Sequence, residues 1–235
     1  MALTRLDKLL SNRGYCTRSE AQDLARQGRV LVDGQTVRSA ALRVDPAVVT
    51  LDGEPLDPEG LLLMLHKPPS YTCSHKDAGV LVYALLPERY LRRNPVLSTV
   101  GRLDRDTTGL LLLTDDGGLV HRLTSPRHKV EKVYEVWLER DLEDDAAEIL
   151  ARGGLVLPED PHPLLPADLE VVEPRFVRLT LVEGRYHQVK RTFEALGNRV
   201  VRLHRPRFGP LELGDLPEGS FRPLTEAERS ALVSG

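Results

Sequence analysis

Two carboxylates, Asp104 and Asp106, stand among basic residues in GRLDRDTTGLLLLTDDG, which runs from Gly101 to Gly117. With Arg102 and Arg105 as neighbours, such an acid should stay ionised, which suits a nucleophile or a base and ill suits a general acid. Only one of the two need face a cleft. A metal pair would face competition from the nearby cations. Either Asp could instead cap backbone amides or pair with arginine, and Thr107 and Thr108 read as loop hydrogen-bonders. A second cluster is EGRYHQVKR, Glu183 to Arg191. Gly184 makes a turn there, Arg185 precedes a helix, and His187 and Lys190, three apart, share a side of it. The cluster could hold a phosphate backbone or be a basic helix surface. Tyr134, in KVYEVWLE, could stack on a base or fill core.

The elements around these residues can be read from periodicity. LLLMLH (Leu61 to His66) reads as a buried strand, KPPSYTCS as a loop and GVLVYALLPERY (Gly79 to Tyr90) as a helix. LLLLT (Leu110 to Thr114) is a central strand and GLVHRLTS a short helix broken at Pro126. In KVYEVWLE, Tyr134, Val136 and Leu138 face one way; in RFVRLTLVEG, Val177, Leu179 and Leu181 do. DDAAEILARG suits a helix and LEVVE a strand. HQVKRTFEALG is a helix with Val189, Phe193 and Leu196 as its stripe and Gly197 at its end. RVVRLH (Arg199 to His204) is a strand, and Thr225 to Glu228 opens a final helix in capping-box order. Strand pairs mix with helices without regular alternation, which predicts an α+β fold: a small helical and hairpin domain, then a mixed, mostly antiparallel sheet with flanking helices.

The first fifty residues read as a separate module. Leu6, Leu9 and Leu10 share a helix face, Thr17 and Glu20 make a capping box, and Gly28 stops the second helix. Asp33-Gly34 turns a hairpin within RVLVDGQTV. LDGEPLDPEG (Leu51 to Gly60) reads as turn and linker, so the expected division is 1–55, a linker at 56–60, and 61–235. Arg18, Arg26 and Arg29 give the module a basic surface suited to phosphates, or to ordinary solvated ion pairs.

Hydrophobic residues make up 41% of the 235, enough for a sizeable core, and with 5% aromatics that core is mainly aliphatic. The net charge of -3 hides segregation. Met1 to Val48 holds eight Lys or Arg against five acids, and Arg185 to Arg207 holds seven against Glu194 alone. Separated basic patches matter more to a polyanion than the total. Two cysteines, Cys16 and Cys73, have neither disulfide-framework nor metal-site spacing, which fits a reducing, intracellular setting, and the expected location is the cytoplasm. No apolar run predicts a signal peptide or a membrane span. The glycine spacings match neither a phosphate loop nor a dinucleotide fingerprint.

The opening stretch, with RLDKLL, TRSEA and Val30-Leu31-Val32-Asp33-Gly34, resembles the alpha-L RNA-binding module of ribosomal proteins, tyrosyl-tRNA synthetases and RNA-modifying enzymes. GRLDRDTTGLLLLTDDG, SPRHKVEKVYEV, EGRYHQVKR and VVRLHRPRFG then follow in order. Together they resemble the ribosomal-RNA pseudouridine synthases over nearly the whole chain, and RYHQVKR resembles the subgroup acting on the small subunit. Thr192 departs from the methionine expected there.

The resemblance implies isomerisation of a uridine to pseudouridine in 16S rRNA, in the helix 18 hairpin, without metal or organic cofactor. It places the essential aspartate at Asp104, with Asp106 in support. It places Tyr134 against the uracil, Lys190 on the catalytic carboxylate, Leu203 beneath the tyrosine, and Arg102 in the space a flipped uridine leaves. Arg185, Gln188 and the basic strip to Arg207 would grip RNA, as would Arg18, Arg26 and Arg29. The expected partner is 16S rRNA or a small-subunit assembly intermediate, with no membrane and no obligatory protein partner. Rival readings are a synthase of large-subunit rRNA, a non-catalytic RNA-binding assembly protein, and a metal-dependent hydrolase built on Asp104 and Asp106.

Overall fold

The structure, a computed structural model, describes residues 3–76 and 79–234. In chain order the elements are β1 (Thr4–Arg5), α1 (Leu6–Asn12), α2 (Arg18–Arg26), β2 (Val30–Val32), β3 (Gln35–Thr36), β4 (Arg43–Val44), β5 (Val49–Leu51) and β6 (Glu54–Pro55). Then come β7 (Leu62–Lys67), α3 (Glu88–Leu91), β8 (Ser98–Thr99), β9 (Thr108–Thr114), α4 (Gly117–Thr124), β10 (Lys132–Leu138) and α5 (Ala146–Arg152). The last are β11 (Asp168–Glu173), β12 (Phe176–Leu181), α6 (Gln188–Ala195), β13 (Val200–Phe208), β14 (Leu211–Glu212), β15 (Phe221–Pro223) and α7 (Glu226–Ser234). The chain divides into two compact units: Met1–Leu61 with Tyr83–Ser98 and Thr114–Gly117, and Leu62–Val82 with Thr99–Leu113 and Gly118–Gly235.

In the first unit, Thr17 accepts from the Glu20 amide and the Glu20 carboxylate accepts from the Thr17 amide, so the capping box starts α2 as the residue types dictate. Asp33 (φ 50°) and Gly34 (φ 72°) make the primed turn joining β2 to β3. Leu6, Leu10, Ala21, Val30, Val44 and Val49 close a small core. The segment read as turn and linker differs. Asp52 (φ 54°) and Gly53 (φ 86°) form a second hairpin, pairing β5 with β6. The acids and prolines there disguised a two-residue strand.

The second unit is built on one sheet with the order β11-β12-β10-β13-β9-β7-β15. β10, β11, β12, β13 and β15 make antiparallel pairs, and β13 runs parallel to β9. The α+β expectation holds. Val136, Leu138, Val177, Leu179 and Leu181 are buried, as the alternation required. Leu62, Met64, Leu110, Leu112, Leu119, Leu123, Phe208 and Leu232 form the core on which the strands converge.

The helix expected over Gly79 to Tyr90 is instead a bridge at Leu81, a 3-10 turn at Val82–Leu85 and the four-residue α3. Pro87 explains this: it lacks a backbone donor and disfavours helical backbone at Leu86. β13 runs four residues beyond the predicted strand, to Phe208.

Candidate active site

The loop before β9 carries Asp104, and a buried lysine fixes that loop. Lys67, the last residue of β7, is 0% exposed. Its Nζ donates to the carbonyls of Pro68 (3.0 Å), Arg105 (3.2 Å) and Thr107 (2.8 Å). Burial pushes this ammonium's pKa down, with Cys73, Asp106 and Asp104 opposing. The Ser70 amide donates to Arg105 O at 2.7 Å, and the Thr107 amide to Asp104 O at 3.1 Å, closing the turn. At Gly109 (φ 115°) a Cβ would lie 2.4 Å from Arg205 O, so only glycine lets the loop enter β9 against β13 here.

The second cluster sits at the start of α6. His187 precedes the helix in left-handed backbone, φ 47° and ψ 33°, and makes no capping hydrogen bond. The Tyr186 ring stacks on its imidazole at 3.8 Å and 20°. The turn is braced from below: the Gln188 amide nitrogen donates to Glu183 Oε1 at 2.8 Å, and its oxygen accepts from the Arg185 amide at 2.9 Å. Glu183 also accepts from the Leu165 amide and from Arg185 Nε, both at 3.0 Å.

The two clusters meet at Asp104. His187 Nε2 lies 3.4 Å from Asp104 Oδ1, and Lys190 Nζ lies 3.4 Å from Asp104 Oδ2. Lys190 Nζ is 2.5 Å from Asp106 Oδ1. Partial burial alone would lower the Lys190 pKa, but Asp106 and Asp104 outweigh it and raise it. Partial burial alone would raise Asp106, yet the Lys190 hydrogen bond and charge lower it.

A cavity of about 570 Å³ opens here. Asp104, Arg102, Tyr134, His187, Leu203 and Arg205 are among its walls. Of the two acids, Asp104 faces the cavity, while the Asp106 side chain is 73% exposed outside it. Arg205, 2% exposed, donates from Nε to Leu110 O at 2.9 Å and from Nη1 to Tyr134 Oη at 3.4 Å. Its guanidinium also lies over the Tyr134 and Phe208 rings, 5.9 and 5.4 Å from their centroids. Lys132 Nζ donates to Val130 O at 2.7 Å, and burial, helped by Arg205 against Glu183, holds its pKa at about 8.

The structure brings Arg102, Asp104, Tyr134, Lys190 and Leu203 into one place. Arg185 and Gln188 also line the cavity. Arg185 is held by Glu183, Asp160 and the His162 and Pro163 carbonyls, and Gln188 is buried beneath the turn, so both brace the wall. Arg18, Arg26 and Arg29 belong to the first unit. Their exposed guanidiniums stand 3.1, 3.6 and 2.6 Å from Asp7, Asp23 and Asp52. Sequence reading missed the roles of Lys67 and Arg205. A lysine ending an apolar strand was the available signal for the first; nothing in the local pattern marked the second. Among the described residues no cluster of three His, Cys, Asp or Glu could hold a metal, and no helix is long and apolar enough to cross a membrane.

Comparison with known proteins gives a consistent result. The model of the RNA pseudouridylate synthase family matches residues 61–195, and that of the S4 domain matches residues 4–49. The chain is 46% identical over 235 residues to the ribosomal small subunit pseudouridine synthase A of Yersinia pestis, covering 97% of each. It is 46% identical over 236 residues to that of Escherichia coli (strain K12), covering 97% of this chain and all of the relative. A crystal structure of a pseudouridylate synthase superposes with a TM-score of 0.69 at 41% identity, covering 97% of this chain and 99% of the other.

Proposed function

The chain belongs to the RNA pseudouridylate synthase family, and from that premise we propose that it isomerises one uridine of 16S ribosomal RNA, in the helix 18 hairpin, with Asp104 as the catalytic carboxylate. The observation that carries the assignment of Asp104 is its place in the cavity wall, one oxygen toward Lys190 and the other toward His187. The reaction conserves every atom and electron of the nucleoside, so it needs no oxidant, reductant or cosubstrate. The N1–C1' bond breaks, the uracil turns, and C5 bonds to C1'.

Asp104 acts on the sugar by one of two routes, attack at C1' or removal of the C2' proton to give a glycal. Tyr134 lies against the uracil with its hydroxyl near Arg205, Leu203 supports it, and Lys190 sets one positive charge beside the two carboxylates. The detached base is held because the cavity walls limit its escape to water. Arg102, exposed at the mouth, takes the uridine's vacated place in the stack; flipping costs a few kcal/mol and least in a loop.

Residues 1–55 serve as the RNA-recruiting module, 56–60 as the linker and 61–235 as the catalytic domain. Arg18, Arg26 and Arg29 contact phosphates, which position RNA while its folded shape selects the site. The substrate is 16S rRNA or a small-subunit assembly intermediate, met in the cytoplasm.

The test supplies purified protein with both ribosomal RNAs, free and carrying early small-subunit ribosomal proteins, and maps new pseudouridines at single-residue resolution. One new pseudouridine in 16S RNA is expected. Modification confined to the large-subunit RNA would overturn the substrate assignment, and binding without any modification would overturn the enzymatic one.

A further inference from the structure

The isomerisation leaves one proton to be moved, and the residues around Asp104 suggest how. When C5 bonds to C1', it still carries its hydrogen. That proton must leave for the C5–C6 double bond to re-form, while N1, which departed with its bonding pair, gains one. By either sugar route the Asp104 carboxylate is free at this moment. Its ester to C1' has broken as C5 attached, or it has returned the C2' proton. It is also beside the proton, since C5 now sits on the carbon where Asp104 worked.

Few other groups in the cavity can take that proton onward. Glu183 is saturated by the Leu165 amide, Gln188 and Arg185. Lys132 is turned to the Val130 carbonyl, and the Tyr134 hydroxyl faces a buried guanidinium. His187 is placed differently. Its Nε2 is 3.4 Å from Asp104 Oδ1, while its side chain is 40% exposed against 23% for Asp104. It therefore bridges the carboxylate and solvent. Its left-handed backbone and the stacked Tyr186 ring hold it there, and strained backbone of this kind clusters where geometry serves function. Histidine tolerates left-handed backbone better than most residues, so the strain alone would be weak; the contact with Asp104 gives it a purpose.

We propose that Asp104 and His187 form a proton relay: the carboxylate collects the C5 proton and passes it to the His187 imidazole, which releases it to water. N1 takes one proton from water, so the count closes. This rests on the assignment of Asp104 above and adds His187 to the catalytic groups, in a role distinct from the fixed charge of Lys190.

The experiment uses the full chain, the His187→Ala and His187→Gln variants, and 16S RNA transcribed with uridine or 5-deuterated uridine, under single-turnover and steady-state conditions. Both variants should slow steady-state turnover by about 10²-fold, the usual worth of a proton-transfer group, because Asp104 must lose its proton before it can act again. Both should leave single-turnover conversion and its C5 isotope effect close to those of the unmodified protein, because Asp104 itself removes the C5 proton. Added imidazole should restore the Ala variant, entering the space the ring left, whereas 1,3-dimethylimidazolium, which has the shape and charge but carries no proton, should not. A loss in single turnover equal to that in steady state, or equal rescue by the two additives, would overturn the relay. Absence of pseudouridine with the unmodified protein would instead overturn the functional reading, and the relay with it.

Discussion

Lys190 stands closer to Asp106 than to Asp104: its Nζ is 2.5 Å from Asp106 Oδ1 and 3.4 Å from Asp104 Oδ2. The cavity-facing acid therefore shares its lysine with a more exposed one. Asp106 anchors the ammonium from outside, and the arrangement places a cation beside Asp104 without a tight ion pair that would tie the carboxylate down. Replacing Asp106 with Asn should leave turnover within about tenfold, because Lys190 still faces Asp104. Replacing Lys190 with Met should cost about 10²-fold or more, as expected when a charge facing the reacting group is removed from a partly enclosed site. Single-turnover rates on one RNA compare the two; equal losses would contradict this division of roles.

Lys67 makes a second prediction, about the loop. Its three carbonyl partners are Pro68, Arg105 and Thr107, and the last two flank Asp106 in the turn that follows Asp104. Lys67→Met keeps much of the volume and leaves those carbonyls without their donor. Stability should fall by about 2–4 kcal/mol, several unsatisfied buried acceptors being the cause. Turnover at a temperature where the variant is folded should fall as well. Calorimetry and single-turnover assays at that temperature read the two effects. A variant with unchanged melting and full activity would show that the loop does not depend on the lysine.

Acid stability carries a third. His204 Nδ1 is 2.8 Å from Thr108 Oγ1 across the parallel pairing of β13 and β9. Burial, with His66 and Arg202 adding to it, lowers its pKa from 6.5 to about 4. The unfolded chain then binds a proton that the folded chain refuses between those values. Stability should accordingly fall as pH drops from about 6.5 to 4, by on the order of 3 kcal/mol. His204→Gln should flatten that window. It should leave the fall below pH 4, where Asp7 and Glu228, both held at about 2 chiefly by Arg5 and Arg222, become protonated. Denaturant midpoints across pH measure both windows, and an undiminished slope between 6.5 and 4 in the variant would count against His204.

Much of this was legible in the residues, and the reasons differ by element. The capping box at Thr17 and the turn at Asp33-Gly34 depend on side chains adjacent in sequence, so local chemistry fixes them. The alternation around Tyr134 and Val177 revealed buried faces because a sheet covered on one side imposes period two. Three things were not legible. The hairpin at Asp52-Gly53 sits in strands too short to show a period, and the expected helix over Gly79 to Tyr90 failed at Pro87. The approach of His187 to Asp104 joins positions 83 apart in the numbering, and only the tertiary fold makes them neighbours.

The most direct measurement of the central claim is pseudouridine formed in 16S RNA by the Asp104→Asn variant, read by mass spectrometry under single turnover with excess protein. Asparagine keeps the shape of the side chain and removes its capacity as nucleophile or base. The account predicts no detectable product, with the melting temperature and RNA affinity close to those of the unmodified protein. Product formed at an undiminished rate would contradict it and remove Asp104 from the chemistry.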